Sequence, residues 1–472
     1  MTAVDVHAID GKLLPPDARF DVVVVGAGAA GTAAAIAAAA EGATVLLVDE
    51  NPVRGDLIGT DVPLFYGGRM TAAVQQPARM IEQIVASNPA LETAIEAGVD
   101  VRLGTAAWGL YVNGPAMRAL PAPMLGIADA ERATMIGFDR LVLATGARDL
   151  VLGFTGWDRP GVMGAQGFAA LLTRYDALAS RRVLIAGSGA LALETALLAL
   201  AHGIAVLGIV EVAEAVQGPS ALAERVGAAG VPLFLGHTIV AADGGIDGVD
   251  RVTLAAVANK RQVEVYCDTL LLAIGAIPAT ELLEAAGVAP GETITRVGDC
   301  ASVVRPDPAY LQAWSAAVGR HAPPETIVCQ CEAVARADLI GVQPPRYLDR
   351  PVAMAARSLS SLLNDGPAHP DQIKRLTRAG MGVCQGRRCR EQVACLLAEQ
   401  QGVPLDRVPV ATVRTPVRPV PLGVLADWQE SAAMTAGWDV WFGIPTQWTP
   451  YAIIGTPEEA EHVSGLGGTM HV

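Results

Sequence analysis

Positive charge is scarce in this 472-residue sequence, and lysine is its rarest basic residue. Lys12, Lys260 and Lys374 are the three lysines, and 34 basic residues face 48 acidic ones, for a formal net charge of −14. A protein that binds nucleic acid needs a basic surface to neutralise the phosphates. The composition therefore argues against a nucleic-acid partner.

Long apolar runs are also missing. No stretch of about 18 uninterrupted apolar residues occurs, so we expect no transmembrane helix. Residues 1–19 contain Asp5, Asp10 and two prolines, without a basic start followed by an apolar core, so no secretory signal is expected. These absences predict a cytoplasmic protein, whose seven cysteines favour metal or redox roles over disulfides. The length and the 51% hydrophobic content predict two to four globular domains.

A glycine-rich nucleotide signature lies near the start of the chain. Residues 20–25 predict a buried parallel strand, followed by Gly26, Gly28 and Gly31 and an alanine-rich helix. In this GxGxxG pattern the first glycine makes the turn, the second lets the backbone approach a pyrophosphate, and the third allows close helix–strand packing. A second strand at 44–48 ends at Asp49, whose carboxylate can accept ribose hydroxyls.

A second signature begins at Arg182. The strand 183–186 is followed by Gly187 and Gly189, a helix over about 190–202, and a strand ending in Glu211. This pattern predicts a second dinucleotide site, and the lack of an arginine directly after Glu211 favours NAD over NADP. The alternative is a fold that keeps its packing glycines but has lost its ligand or holds another nucleotide, such as ATP.

Four cysteines in the last third of the chain form two tight pairs. Cys329 and Cys331 are spaced as Cys-x-Cys, and Cys384 and Cys389 as Cys-x₄-Cys. Two such pairs can supply four thiolates to one [2Fe-2S] cluster. The alternative is zinc, although structural zinc sites mostly use the longer Cys-x₂₋₄-Cys spacing. Basic residues that could offset the cluster's negative charge, or could simply be solvated, crowd the second pair: Lys374, Arg375, Arg378, Arg387, Arg388 and Arg390.

The order of motifs resembles the two-dinucleotide-domain flavoprotein reductases. The signatures that carry this resemblance are the N-terminal glycine motif, Ala144-Thr145-Gly146-Ala147 and Gly298-Asp299. The resemblance implies FAD in the first site, contacted by Gly26, Gly28, Gly31, Asp49, Thr145, Gly146 and Asp299, with Glu50 able to assist Asp49. The disulfide reductases of that superfamily need a cysteine pair in a nucleotide domain. Because no cysteine precedes Cys267, we do not expect thiol–disulfide reduction.

The cysteine segment 326–420 resembles the ferredoxin-like domain of bacterioferritin-associated ferredoxin. In particular, it is similar to the version in α subunits of opine oxidases, hydrogen cyanide synthase and hetero-oligomeric proline or hydroxyproline dehydrogenases. The segment 154–163 strengthens the resemblance, which covers roughly 20–420. Two departures are Arg54-Gly55-Asp56, where the family has a Gly-Gly pair, and a long Cys331–Cys384 spacing that implies a surface insertion around 342–368.

We therefore expect an α/β chain with two doubly wound dinucleotide-binding domains and a small C-terminal [2Fe-2S] domain. The predicted segments are an FAD-binding part at 20–150, an NAD-binding-like domain at 151–270, an FAD-domain return at 271–322, a cluster domain at 323–400 and a tail at 401–472. Four of the seven tryptophans lie in that tail: Trp428, Trp438, Trp441 and Trp448. They fit a surface that contacts another polypeptide of a complex, or equally a tail wrapped on its own domain.

The resemblance implies an electron-transfer subunit of an amine or amino-acid dehydrogenase complex that oxidises an opine, an imino acid or a glycine-like substrate. In such complexes a flavin-containing β subunit oxidises a C–N bond, and a small ferredoxin-like γ subunit is often present. One alternative is a self-contained NADH-dependent reductase, supported by Glu211. Another is a scaffold role within the complex. No catalytic base is identifiable from the sequence.

Overall fold

A computed structural model describes most of the chain. The described residues are 14–52, 71, 76–114, 120–259, 261–344, 357–367, 369–426, 428, 430, 432, 453 and 456–465. The departure at 54–56, residues 345–356 of the predicted insertion around 342–368, and Trp438, Trp441 and Trp448 lie outside these ranges.

The first sheet is built around the first glycine motif. Its order is β3-β2-β1-β6-β5-β4, with β17 beside β6. Strands β1, β2, β3, β6 and β17 pair in parallel, and β4, β5 and β6 pair in antiparallel fashion. The strands are β1 (Ala18–Val25), β2 (Val45–Asp49), β3 (Asp100–Leu103), β4 (Ala106–Tyr111), β5 (Met124–Ala128), β6 (Ala133–Leu143) and β17 (Ile294–Arg296). The return of β17 to this sheet brings the segment after it back to the glycine loop.

A second parallel sheet follows, with the order β11-β10-β9-β15-β8, and a three-stranded antiparallel sheet β12-β13-β14 packs beside it. Two short ladders, β7 with β16 and β18 with β19, complete the strands of the described residues. Their bounds are β7 (Ala147–Asp149), β8 (Val162–Gly164), β9 (Arg182–Ala186), β10 (Ala205–Glu211), β11 (Leu233–Leu235), β12 (His237–Gly245), β13 (Gly248–Ala256), β14 (Gln262–Val265), β15 (Thr269–Leu272), β16 (Ala276–Pro278), β18 (Ile327–Cys329) and β19 (Val334–Ala335).

Helices cover the sheets. They also form most of the part of the chain after residue 322, which is called the C-terminal module below. In the described ranges they are α1 (Ala29–Ala40), α2 (Pro77–Ser87), α3 (Ala90–Glu96), α4 (Ala165–Ala169), α5 (Ala190–Ala201), α6 (Ser220–Ala228), α7 (Glu281–Ala286), α8 (Asp299–Ser302), α9 (Pro308–Gly319), α10 (Arg336–Ile340), α11 (Leu359–Asp365), α12 (Pro370–Thr377), α13 (Arg390–Gln401), α14 (Leu422–Ala426) and α15 (Pro457–Gly465). A π-helical turn spans Ala170–Arg174 and a 3₁₀ turn spans Leu405–Arg407. Among the described helices, none has the length and apolar character required to cross a bilayer.

The core explains how the parts are held together. Valines and leucines of β1 and β2 are almost completely buried on both faces, as central parallel strands should be. Trp314 of α9 is fully buried and shares one apolar cluster with Trp157 and with Cys395 of α13. The C-terminal module has its own apolar cluster, which includes Val328, Ile373 and several α13 residues. Helix α13 therefore belongs both to its own module and to the shared interface.

The nucleotide-binding elements lie close to their predicted places. One predicted helical region is interrupted. The sequence of residues 78–98 predicts a helical region, and the structure divides it into α2 and α3 at Asn88-Pro89. Asn88 leaves the helix because its side-chain amide donates to the Ala27 carbonyl and to Thr32 Oγ1, both 3.1 Å away. Proline at position 89 also disfavours a helical conformation for the residue before it.

Candidate cofactor cleft and thiol cluster

The first glycine loop joins β1 to α1 with very little space at two of its glycines. A Cβ on Gly26 would lie 2.2 Å from the Ala144 carbonyl oxygen, and a Cβ on Gly31 would lie 1.9 Å from the Gly26 carbonyl oxygen. Gly28, the N-cap of α1, is different, because a Cβ there would meet nothing within 4 Å. Gly26 and Gly31 therefore allow the loop to pack closely against Ala144. Gly28 leaves open space at a helix N-terminus, which suits an approaching phosphate.

This difference predicts opposite outcomes for two alanine substitutions. Gly31→Ala should destabilise the fold, because the new methyl group meets rigid backbone. Gly28→Ala should fold normally, since its φ of −73° suits alanine, yet it should bind FAD at least about tenfold more weakly by filling the open space. Thermal unfolding and flavin titration of the two purified variants measure this. A G28A protein with unchanged FAD affinity would show that the open space is not where the cofactor lies.

The acidic residues at the end of β2 are partly engaged within the chain. Asp49 Oδ2 accepts a hydrogen bond from the Ala27 N–H at 2.6 Å, and Oδ1 accepts from the backbone and the side chain of Asn51, both at 2.8 Å. Glu50 Oε2 accepts from Arg418 Nε at 2.6 Å. Asp49 therefore braces the glycine loop, while Arg418 holds Glu50 at the same end of the strand.

The opposite wall is made by the segment after β6 and by the return segment. Thr145 Oγ1 donates to the Ala279 carbonyl at 2.6 Å, which ties the loop after β6 to the end of β16. Gly298 packs against α1, because a Cβ there would lie 2.8 Å from Ala30 Cβ. Asp299 begins the short helix α8 directly after this contact. The following Cys300 is a single cysteine, which the sequence predicts to be a buried small apolar residue, and it is fully buried.

These segments enclose a cleft of about 480 Å³, called the cofactor cleft below. That volume is within the usual range of ligand pockets. The cleft brings together all eight residues proposed for the first nucleotide site: Gly26, Gly28, Gly31, Asp49, Glu50, Thr145, Gly146 and Asp299. It is also lined by residues that sequence reasoning missed as cleft residues, namely Arg148, Asp149, Glu281 and Arg418, and by Arg387 and Arg388 of the cysteine segment.

Asp149 is a buried carboxylate in this wall, and it accepts hydrogen bonds from backbone N–H groups. Its Oδ1 accepts from the Gln166 N–H at 2.9 Å and its Oδ2 from the Gly167 N–H at 3.2 Å, so it caps the start of α4. Burial raises the pKa of Asp149 to about 7, although these hydrogen bonds and the positive charge of Arg148 act to lower it. The folded protein therefore keeps a proton on Asp149 at a pH where the unfolded chain has lost it.

The raised pKa predicts a stability change with a definite sign. Between about pH 4 and about pH 7, the native state binds one more proton than the unfolded state at this site, so the free energy of unfolding falls as pH rises. The slope from this group is about 1.4 kcal/mol per pH unit and disappears above about pH 7. Asp149→Asn should remove this pH-dependent part of the free energy of unfolding, measured by urea unfolding between about pH 4 and about pH 7. Asp139→Asn, at a half-exposed side chain, is the control, and parallel curves for D149N and wild type would contradict the assignment.

The second glycine motif has a different environment. Glu211 is fully buried, and its carboxylate accepts hydrogen bonds from Ser188 Oγ at 2.6 Å, the Tyr310 hydroxyl at 2.8 Å and the Ala213 N–H at 3.0 Å. The Gln217 N–H donates to Ser188 Oγ at 3.0 Å. A Cβ on the next residue, Gly218, would lie 2.9 Å from the Gly189 carbonyl carbon. The chain itself therefore covers the Gly187–Gly189 loop and engages the carboxylate that was expected to accept a ribose.

The four cysteines of the two pairs lie together in the C-terminal module. Cys329, Cys384 and Cys389 are buried, and Cys331 is half-buried. Cys329 hydrogen-bonds with Cys389, and Cys331 with Cys384. The Gly380 N–H donates to Cys329 Sγ at 3.4 Å, and a Cβ on Gly382 would lie 2.3 Å from Cys331 Cβ. The hydrogen bond from Cys384 lowers the pKa of Cys331 to about 7, and the shared proton raises the pKa of Cys384.

The donor set fits a two-iron centre in its chemistry. Over the described ranges, no group of three or more histidine, cysteine, aspartate or glutamate side chains is arranged to hold a metal ion. The thiols instead contact each other as Cys329 with Cys389 and Cys331 with Cys384. A [2Fe-2S] core takes two ligands on each iron. That Cys329, Cys331, Cys384 and Cys389 would hold such a core stays a prediction from the sequence.

A buried ion-pair network joins the thiol-bearing module to the cofactor cleft. Arg148 Nε donates to Glu281 Oε1 at 3.0 Å, and its two terminal nitrogens donate to the carboxylate of Glu391 in α13. Arg148 Nη1 also donates to the Arg387 carbonyl. Arg390 Nη1 extends the network to Glu284 Oε2 at 2.7 Å. The network fixes α13 and the residues just before it against the cleft wall.

Together, the two nucleotide-binding sheets and the glycine-loop cleft define a dinucleotide-binding flavoprotein of the reductase fold. The chain belongs to the pyridine nucleotide-disulphide oxidoreductase family, whose sequence model matches residues 20–300. A second family model, the sarcosine oxidase A3 domain, matches residues 347–428.

Individual relatives agree with this family. The chain is 26% identical over 489 residues to an opine oxidase subunit of Agrobacterium tumefaciens (strain Ach5), covering 86% of this chain and 91% of that protein. It is 27% identical over 445 residues to hydrogen cyanide synthase subunit HcnB of Pseudomonas aeruginosa, covering 78% of this chain and 90% of the relative. In fold it is similar to L-proline dehydrogenase from P. horikoshii, with a TM-score of 0.53, 19% identity, and coverage of 88% and 81% of the two chains. The resemblance to these flavoprotein subunits is thereby confirmed, while its ferredoxin-like part stays a prediction.

Proposed function

We propose that this chain is the flavin and iron–sulfur electron-transfer subunit of a hetero-oligomeric complex that oxidises an amine or amino acid at a C–N bond. The observation that carries the proposal is that the cofactor cleft and the cysteine loop have two residues in common. Arg387 and Arg388 line the cofactor cleft and also belong to the loop between Cys384 and Cys389. A flavin in the cleft and a cluster on the thiols would then be neighbours.

The residues of the cleft suit FAD. Gly26, Gly28 and Gly31 would bring backbone N–H groups to the pyrophosphate, and Asp49 and Glu50 lie at the strand end where a ribose is bound in such folds. Thr145, Gly146 and Asp299 would border the remainder of the cofactor. When bound, FAD accepts two electrons at once and a [2Fe-2S] cluster passes one at a time, so the pair converts between the two kinds of transfer.

A partner polypeptide would carry the substrate chemistry. No paired histidine and carboxylate that could serve as a catalytic base was identified in the sequence. The opine oxidase relative and the hydrogen cyanide synthase relative are themselves parts of multi-subunit enzymes, as their names state. We therefore assign substrate oxidation to a flavin-containing β subunit, and a small ferredoxin-like γ subunit would be a further partner. The substrate class is an opine, an imino acid or a glycine-like amine.

The second nucleotide fold has a structural role in this proposal. Its ribose-accepting candidate, Glu211, is held by Ser188, Tyr310 and Ala213 inside the protein. Displacing these bonds to bind NADH would leave buried polar groups without partners, which costs free energy. This arrangement favours the electron-transfer role within a complex over the self-contained NADH-dependent reductase.

Purification from the native host with its bound partners tests the proposal. The complex should contain FAD, iron and acid-labile sulfide, and its flavin absorption should bleach when an amine or amino-acid substrate is added. The isolated chain should keep FAD and about two irons and be inert to NADH. Rapid bleaching of the isolated chain by NADH would support the reductase alternative, and a colourless protein that still binds its partner would support the scaffold alternative.

A further inference from the structure

Most of the basic residues around the second cysteine pair already have a defined role. Arg378 pairs with Glu332 at 2.7 Å, and Arg390 pairs with Glu284 at 2.7 Å. Lys374 Nζ donates to the Thr412 carbonyl at 3.3 Å, and Arg375 is exposed on α12. None of these four residues lines the cofactor cleft.

Arg388 differs because its guanidinium is buried and two of its three nitrogens lack a hydrogen-bond partner among the described residues. Only 9% of the residue is exposed, and its Nε and Nη2 have no hydrogen-bond partner among the described residues. Its guanidinium lies over the ring of Trp157, 5.2 Å from the ring centroid. Trp157 is in turn fixed by a hydrogen bond from its Nε1 to the Ile327 carbonyl at 2.7 Å, two residues before Cys329. A buried cation with unused donors requires an anionic partner to offset its desolvation.

Two anionic partners are within reach of this position. Arg388 is adjacent in sequence to Cys389. Burial lowers the pKa of the Arg388 guanidinium, and negative charge on the four cysteines, that of Cys384 first, acts against this lowering. Arg388 also lines the cofactor cleft. It therefore lies between the place proposed for a flavin and the place proposed for an anionic cluster.

We propose that Arg388 is a positioning residue that electrostatically couples the cofactor in the cleft to the group held by the four thiols. This inference rests on the proposed function for the identity of both groups. A fixed positive charge and hydrogen-bond donors near a cluster raise its reduction potential. The same charge favours a reduced, anionic flavin. Arg388 would thus raise the reduction potentials of both groups.

Midpoint potentials of purified full-length variants test the inference. Arg388→Gln removes the charge and keeps a planar polar side chain, and Arg388→Lys keeps the charge. Arg375→Gln removes one charge from the exposed face of the same module and serves as the matched control. In R388Q, one-electron reduction of the iron centre should become about tenfold less favourable, a shift of about 59 mV to more negative potential. The flavin potential should move in the same direction, while R388K should lie nearer wild type and R375Q should be unchanged.

The outcomes separate this inference from the proposed function. Wild-type potentials at both centres in a folded, fully loaded R388Q protein would overturn it. Loss of iron from R388Q but not from R388K would support it, because the two variants differ in charge. If the native protein contains flavin but no iron, the proposed relay fails, and the flavin potential of R388Q alone decides whether Arg388 acts on the cleft.

Discussion

Replacing Cys384 by serine should abolish binding of the iron–sulfur cluster. Cys384 is buried and paired with Cys331, so its loss leaves one half of the four-thiol set with a single ligand. Serine is a poor replacement because thiolates are the ligands that hold such clusters. Iron and acid-labile sulfide should fall to background, and electron flow to one-electron acceptors should stop.

The flavin should remain bound in the same variant. The cleft residues belong mainly to the first sheet and its return segment, and the C-terminal module keeps an apolar core that includes Val328, Ile373 and Leu397. Cys395→Ala is the matched control, because Cys395 is 1% exposed in the same module and is not one of the paired cysteines. Iron should be normal in C395A. Normal iron in C384S would refute the ligand assignment, and zinc in place of iron in the wild type would support the alternative metal.

The nucleotide-binding elements could be predicted from sequence because their signals are local. A buried parallel strand is a continuous apolar run, and the glycine spacing sets where the helix begins. The strand expected at 20–25 is observed as Ala18–Val25. The apolar run at 133–143 likewise predicts a strand, and it is observed as Ala133–Leu143. The antiparallel strands β12 to β14 were missed, although residues 237–256 alternate around a glycine-rich turn that could have revealed a hairpin.

The contacts that decide chemistry could not be predicted, because they join residues far apart in the chain. Arg148 and Glu391 are 243 positions apart, and Glu211 and Tyr310 are 99 positions apart. The acid at the end of β10 fits the pattern for ribose binding, and only the approach of α9 shows that Tyr310 hydrogen-bonds to it. The role inferred for Arg388 likewise depends on its contact with Trp157, which is 231 positions earlier in the chain and lies in the segment 154–163 that supported the resemblance.

The buried network around Arg148 leads to the largest expected loss of stability. Arg148→Met removes the positive charge that lies between Glu281 and Glu391 and pairs with both. The two glutamate side chains are only 3% and 7% exposed. Although burial opposes ionisation, the charges of Arg148 and Arg390 hold the pKa of Glu391 down at about 2. Removing one partner of a buried ion pair typically costs about 3–5 kcal/mol, because the remaining charge is left uncompensated. We expect a loss of that size in the free energy of unfolding of R148M at neutral pH.

A double-variant comparison shows whether this loss comes from the buried charges. After Arg148→Met, Glu391 keeps the longer contacts with Arg390 and Arg305, at 3.3 and 3.7 Å. If its less fully compensated charge is the cause, Arg148→Met combined with Glu391→Gln should be more stable than Arg148→Met alone, since the second change removes that charge. Arg19→Met is the matched control, because Arg19 pairs with Asp139 at half-exposed side chains and should contribute only about 0–1 kcal/mol. Equal losses in R148M and R19M would mean that the network does not hold the thiol-bearing module against the cleft. The position of Arg387 and Arg388 at the cofactor cleft would then have to be maintained by other contacts.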